Sequence, residues 1–352
     1  MLSRYTSFQH LLQVYDNISA RYAFKAEYLS QYRLWKKKLR VKLADITGLN
    51  QMTFSELKPE VLETEKMDDY KRIKMIIQTE PAVLMPFYIL LPDDLQEGEE
   101  RAAVIAPHGH DSGGKYAVAG RSDIPGVNRV IEKYNYDYGI QLVKKGYIVF
   151  CPDARGFGER REIIKQGDEG EDILSSSCHE LNNLAIALGQ SLTGMFVWDL
   201  MRLLDYAETC QYVDSTRIAV CGFSGGGLQA LWLAVMDQRV KAAIVAGYFH
   251  GFKDTIFQSN MCSCNFVPQL WRYCDMGDLG AMIAPRPLMI KSGSKDKLNG
   301  NSGLANVYSQ LEIVRSAYKL MNAEGNLYHH VFNGGHIWNG DRVDEFLKSA
   351  FS

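Results

Sequence analysis

Gly222-Phe223-Ser224-Gly225-Gly226 follows the apolar run RIAVC and precedes GGLQALWLAVMD. A serine therefore stands where a strand turns sharply into a helix, the G-x-S-x-G arrangement that lifts a hydroxyl above the end of a sheet. The glycines have a steric reason: the serine backbone is strained there, and side chains two residues before and after it would collide as strand and helix approach. Ser224 is expected to be a nucleophile, with a Gly-rich structural turn as the plainer alternative. A serine hydroxyl is a poor nucleophile near neutral pH, so it needs a base in hydrogen-bond reach and a carboxylate that fixes the tautomer of that base.

His336, in FNGGHIWNG between the strand-like LYHHVF and the last helix, is the expected base. His329 and His330 compete, but adjacent strand residues face opposite sides of a sheet, so both read as structural. Asp296 follows the strand PLMIKSGSK and is the preferred orienting acid, although aspartate is also common in polar turns and helix caps. Asp275 and Asp278 precede that strand and rank behind it. Ester chemistry also needs donors for an oxyanion, and the N–H of Gly225, at a helix N-terminus, and the N–H of His110, in APHGHDSGG, are the candidates.

His108-x-His110 has the spacing of a metal pair, but no third histidine or carboxylate stands nearby with ligand spacing, so no metal and no cofactor is expected. Cys262-Ser263-Cys264 lacks a matching second pair and reads as core or loop thiols. PDARGFGER gathers Asp153, Arg155, Glu159 and Arg160 near the same rim. Arg155 is a candidate substrate contact or, equally, a salt-bridged loop anchor. His108 and Tyr248 are further candidate substrate contacts. Phe249 and Trp271, with Tyr248, would wall a pocket or pack a lid.

The elements that must position these groups are legible as texture. RAAVIAPHG, YIVFCPD, RIAVCGFSG, VKAAIVAGY and PLMIKSGSKD are short continuous apolar runs separated by helix-period segments. That alternation predicts an α/β domain with a mostly parallel sheet flanked by helices. The predicted helices include one long segment, LNNLAIALGQSLTGMFVWDLMRLLDYAETC. Residues 1–58 predict a helical extension, and residues 59–352 a catalytic domain with insertions near 154–180 and 249–282. KRIKMIIQTE and VLMPFYILLP predict a hairpin at a sheet edge.

The 352 residues, 46% hydrophobic and 23% charged, exclude general disorder. A net charge of -2 offers no basic surplus for nucleic acid. No run reaches the roughly 18 apolar residues of a membrane span, and no secretory signal is evident, so a cytoplasmic protein without a membrane partner is expected. Seven cysteines, two of them in apolar runs, fit reduced thiols better than a disulfide framework.

Together HGH, PDARGFGER, GQSLTGMFVWDLMRLLDY, VDSTRIAVCGFSGGG, IAPRPLMIKSGSKD and GGH resemble the α/β-hydrolase superfamily, and within it the dienelactone-hydrolase-like and acetyl-xylan-esterase-like branch. The similarity runs from about residue 80 to the C-terminus. It implies Ser224 as nucleophile, Asp296 as acid and His336 as base, in the chain order of that fold, with His110 and Gly225 supplying the oxyanion hole. Dienelactone hydrolases proper use a cysteine, which the serine here disfavours. The expectation is a serine hydrolase of carboxylic esters, a deacetylase of small or sugar-linked acetate acting on a small-molecule ester and capable of forming a homo-oligomer. A peptidase on the same triad and a catalytically silent receptor of the same fold are the alternatives.

Overall fold

The computed structural model describes residues 5–162, 167, 172–259 and 261–352. Its strands are β1 (Glu60–Lys66), β2 (Tyr70–Glu80), β3 (Val83–Pro92), β4 (Arg101–Ile105), β5 (Ile148–Pro152), β6 (Val213–Phe223), β7 (Ala242–Ala246), β8 (Leu288–Gly293) and β9 (Leu327–Phe332). They form one sheet in the order β1-β2-β3-β5-β4-β6-β7-β8-β9. From β5 to β9 neighbours run parallel, whereas β1, β2 and β3 join as an antiparallel meander against β5. The parallel strands are apolar runs because both of their faces are covered. Ile105, Phe150, Val220 and Val245 face one buried layer, while their neighbours Val104, Val149, Cys221 and Ile244 face the other.

The β2–β3 hairpin turns at Ala82, with φ 63. It is not the sheet edge, because β1 pairs outside it. That edge strand, EVLETEK, is almost wholly exposed, and four of its seven residues are charged. Such a strand resists pairing with further chains and carries no apolar signature by which to foresee it.

The helices are α1 (Phe8–Asp16), α2 (Leu29–Ile46), α3 (Lys115–Val118), α4 (Pro125–Tyr134), α5 (Tyr138–Val143), α6 (Cys178–Ala187), α7 (Leu192–Ala207), α8 (Gly225–Met236), α9 (Met276–Ala281), α10 (Leu304–Leu320) and α11 (Val343–Phe351). α2, α7, α8 and α10 pack on one face of the sheet, and α4, α5 and α11 on the other. The long helix expected from residue 181 to 210 is instead two, α6 and α7, which meet at 99°. Gly189 takes φ 80 after α6 and Ser191 caps α7 by accepting the Gly194 N–H at 3.1 Å, so local chemistry breaks an apolar pattern that runs on unbroken. No single helix among the described residues is long and apolar enough to cross a membrane.

Residues near the N-terminus are part of the same core. Tyr32, Leu39, Leu43 and Ile46 of α2 are buried in it, and the Tyr32 hydroxyl donates to the carbonyls of Ala281 and Ala284 at 2.9 and 2.8 Å. α1 lies farther out, with Phe8 and Tyr15 against Phe257 and Tyr15 against Trp271.

Candidate active site

Ser224 follows β6 directly and holds φ 57, ψ -121, a conformation that few side chains tolerate. A Cβ on Gly222 would lie 2.0 Å from the Gly226 carbonyl oxygen, and one on Gly226 2.2 Å from that of Pro107. Both positions exclude any side chain, so the turn can form only with glycine there. α8 starts at Gly225 and aims its free N-terminal amides toward the serine.

The imidazole of His336 reaches that serine across the top of the sheet. Its Nε2 lies 2.9 Å from Ser224 Oγ and its Nδ1 2.7 Å from Asp296 Oδ2. Asp296 stands just beyond β8, and its other oxygen accepts the Leu298 N–H at 2.8 Å. The carboxylate is therefore held from both sides, with its side chain 2% exposed against 24% for His336. The ring of Phe223 lies 4.6 Å from that of His336 and limits its rotation. With Nδ1 donating to the carboxylate, Nε2 is left as an acceptor for the serine proton.

A cleft of about 330 Å³ opens over these groups, bordered by His110, Tyr134, Tyr136, Met261, Asn265 and Leu298. The loop that follows β4 runs along its side. A Cβ on Gly109 would lie 2.9 Å from the Gly225 nitrogen, so the main chain at Gly109-His110 passes directly against the start of α8. Gln229 and Tyr138 hold this loop by donating to the carbonyls of His108 and Pro107. Among the candidate positions, Ser224, His336, Asp296, His110 and Gly225 thus converge.

His108, Arg155 and Tyr248 do not border the cleft. His108 is wholly buried; its Nε2 accepts the Ala154 N–H at 3.1 Å while Nδ1–H donates to the Gly109 carbonyl at 2.8 Å. Burial pushes this imidazole down to about 4, so it is a neutral structural group and not a substrate contact. Arg155 bridges Asp199 and Glu80, at 2.8 and 2.7 Å, which makes it the loop anchor. Tyr248 is buried beneath the cleft and donates to Asn265 Oδ1 at 2.7 Å, acting on the wall only through that residue. Asp275 and Asp278 form the capping box of α9, and His329 pairs with Ser292 on β8. Trp271 packs with Phe252, Phe257 and Phe266 instead of lining the cleft. Phe249 is buried in the core.

Sequence reasoning missed Tyr134, Tyr136, Met261, Asn265 and Leu298. Only the insertion that holds Met261 and Asn265 carried a signal. It also missed His250, fully buried behind the cleft, whose Nδ1 pairs with Thr255 at 2.8 Å.

A serine lifted on a glycine-walled turn at the carboxyl end of β6, with an imidazole and a carboxylate arriving from the connections after β9 and β8, is the arrangement of an α/β-hydrolase. A model of the Abhydrolase family matches residues 2–337, and the chain belongs to that family. YtaP of Bacillus subtilis, named as a hydrolase, is 28% identical over 219 residues, which span 60% of this chain and 66% of that protein. Among solved structures, a Bacteroides fragilis protein named as an acetyl xylan esterase superposes with a TM-score of 0.75 at 21% identity, covering 94% of this chain and 83% of its own. A glucuronoyl esterase from Solibacter usitatus gives 0.62 at 16% identity, covering 90% and 93%. At these identities the likeness to solved structures establishes the fold.

Proposed function

We propose that this protein is a serine esterase that cleaves carboxylic esters through an acyl-enzyme, with acetyl groups on small or sugar-linked alcohols as its substrates. The observation that carries this reading is the continuous hydrogen-bonded line from Asp296 through His336 to Ser224 Oγ, at 2.7 and 2.9 Å, at the floor of a cleft. His336 Nε2 removes the hydroxyl proton as Ser224 Oγ attacks the ester carbonyl. The resulting oxyanion faces the main-chain N–H groups of Gly225 and His110, and Asp296 stabilises the imidazolium. Collapse of this intermediate breaks the carbonyl–alkoxy bond, and the proton on His336 passes to the departing alcohol. Water, deprotonated by the same imidazole, then attacks the acyl-enzyme and releases the acid and the serine.

Two features support the substrate class. The cleft lies at the small end of ligand-pocket volumes, and the structural relatives reported above carry the names of esterases that act on sugar esters. Seven cysteines, an odd number with two of them in apolar strands, fit reduced thiols and so support a reducing compartment such as the cytoplasm.

The test is hydrolysis of p-nitrophenyl esters from acetate to octanoate, then of acetylated sugars, together with labelling by a fluorophosphonate probe. Turnover should be greatest on acetate, and labelling should vanish in Ser224→Ala. A native protein that neither takes the label nor cleaves any ester would be a receptor of this fold, and faster cleavage of matched amides would make it a peptidase.

A further inference from the structure

The connections that follow β4, β5 and β7 at the carboxyl end of the sheet meet at one point. Cys178 opens α6, at the end of the connection that follows β5. Cys262 and Cys264 lie in the connection after β7, and His110 stands in the loop after β4. The three sulfur atoms and one imidazole nitrogen all lie within 4.8 Å of one another. By spacing alone Cys262-Ser263-Cys264, with no matching second pair, reads as core or loop thiols, and His108-x-His110 has no third histidine or carboxylate at ligand spacing. Spacing along the chain does not register partners that arrive from other segments.

We propose that these four side chains form a structural zinc site beside the active site. Three thiolates and one imidazole are the donor set of closed, four-coordinate zinc, whereas calcium and magnesium require oxygen. In a tetrahedron with zinc–sulfur bonds of about 2.3 Å, the sulfur atoms stand about 3.8 Å apart. The side chains therefore need to move by no more than about an ångström to close around an ion. His110 presents the correct atom, since its Nε2 lies 3.3 Å from Cys264 Sγ.

Two polar features sit beside the sulfur atoms. Cys178 is the first residue of α6, where the helix dipole stabilises negative charge, and the Asn265 side-chain amide lies 3.8 Å from Cys264 Sγ as a donor. The main chain is fixed to match: Asn182 donates to the Ser263 carbonyl at 2.8 Å, Ser263 Oγ to that of Cys178 at 3.0 Å, and Thr193 Oγ1 to that of Cys264. Binding exchanges three thiol protons for one divalent ion, and the protons leave to solvent.

The site has a consequence for the cleft. His110 and Cys262 both border it. With Nε2 on the metal, the remaining ring proton of His110 must sit on Nδ1, the atom that faces Gly225, where a Cβ would come within 2.7 Å of it. Zinc would thus pin both connections to the wall of the cleft and orient one ring over the start of α8. All four valences are filled by protein, so the ion does not activate water.

The experiment uses the untagged 352-residue chain purified under reducing conditions without chelator. Elemental analysis should find one zinc per chain. Substitution with Co²⁺ should give the strong visible bands and sulfur-to-cobalt charge transfer of tetrahedral thiolate coordination. Cys262→Ser, at a partly buried position, should lower zinc occupancy at least about tenfold, and Ser224→Ala should leave it unchanged. A folded, reduced wild-type protein that holds no zinc and develops no thiolate–cobalt band would overturn the proposal, and so would an intact mass two hydrogens short with a disulfide mapped to these cysteines. The cobalt spectrum is read on the unaltered chain, so it decides the matter even if the variant fails to fold. Loss of esterase activity would not affect these readings, and absence of metal would not affect labelling of Ser224.

Discussion

Ser224 is the one residue of the elbow whose backbone takes a conformation disfavoured for its type, and the glycines around it explain why it stays there. Residues held in sparsely populated regions persist only where neighbours over-determine them. Here β6, α8 and the loop after β4 close on the turn from three sides. The hydroxyl is thereby presented without a choice of position, and the proposed chemistry depends on whether the imidazole of His336 is equally fixed. Asp296 does that fixing through two hydrogen bonds, one to His336 and one to the Leu298 N–H. Asp296→Asn keeps the volume but can present an amide N–H to Nδ1, which would leave Nε2 protonated toward the serine. Kcat for the preferred ester should fall about 10⁴-fold while KM stays within a few-fold. A fall of less than tenfold would mean that another group orients the imidazole.

At the scale of elements, the decisive feature is how helices outside the parallel sheet lock onto it. α2 contributes Leu39 and Leu43, both fully buried, and reaches α9 through the Tyr32 hydroxyl. It is a wall of the core. Leu43→Ala should destabilise the protein by about 2–5 kcal/mol, the cost of lost burial plus the cavity left behind, read from the urea midpoint at unchanged slope. A loss under about 1 kcal/mol would show that α2 packs only superficially. α7 has a different task. Asp199 on its buried face gathers Arg155 at 2.8 Å and Arg160 at 2.7 Å, both from the connection after β5. That connection is therefore tied to the helix layer at one end, and at the other it reaches α6 and Cys178.

For the whole molecule, this buried cluster sets how stability responds to acid. Burial by itself would raise the Asp199 carboxyl, but Arg155 and Arg160 outweigh it and hold the group well below the usual carboxylate range. Its folded value is depressed, so the stability it contributes is fully present above the unfolded value near 3.8 and is lost as pH falls below it. Asp199→Asn removes the carboxylate that pairs with Arg160 and one of the two that pair with Arg155, which keeps Glu80, and should cost about 3–5 kcal/mol at neutral pH. It should also flatten the fall in Tm as pH drops below about 3.8. An acid limb as steep as that of the wild type would assign the response to other carboxylates.

The sequence by itself determined what short-range physics can enforce. A glycine two residues before and two after Ser224 is demanded by clashes within a few residues, so the elbow was legible. The apolar runs of β5, β7 and β8 were legible because strands covered on both faces need no polar alternation. Asp296 and His336 could be nominated because each follows a recognisable strand. Where the signal was polar or local, the reading failed: β1 is a charged edge strand, and Gly189 with Ser191 broke a helix that periodicity alone continued. Only the tertiary structure decided which side chains meet. It sent His108 and Arg155 inward to hold loops, put Tyr248 under the cleft instead of in it, and drew Cys178, Cys262, Cys264 and His110 to one point. These outcomes depend on how connections of irregular backbone pack across the end of the sheet, and no periodicity along the chain records the distance between residues that lie in different connections.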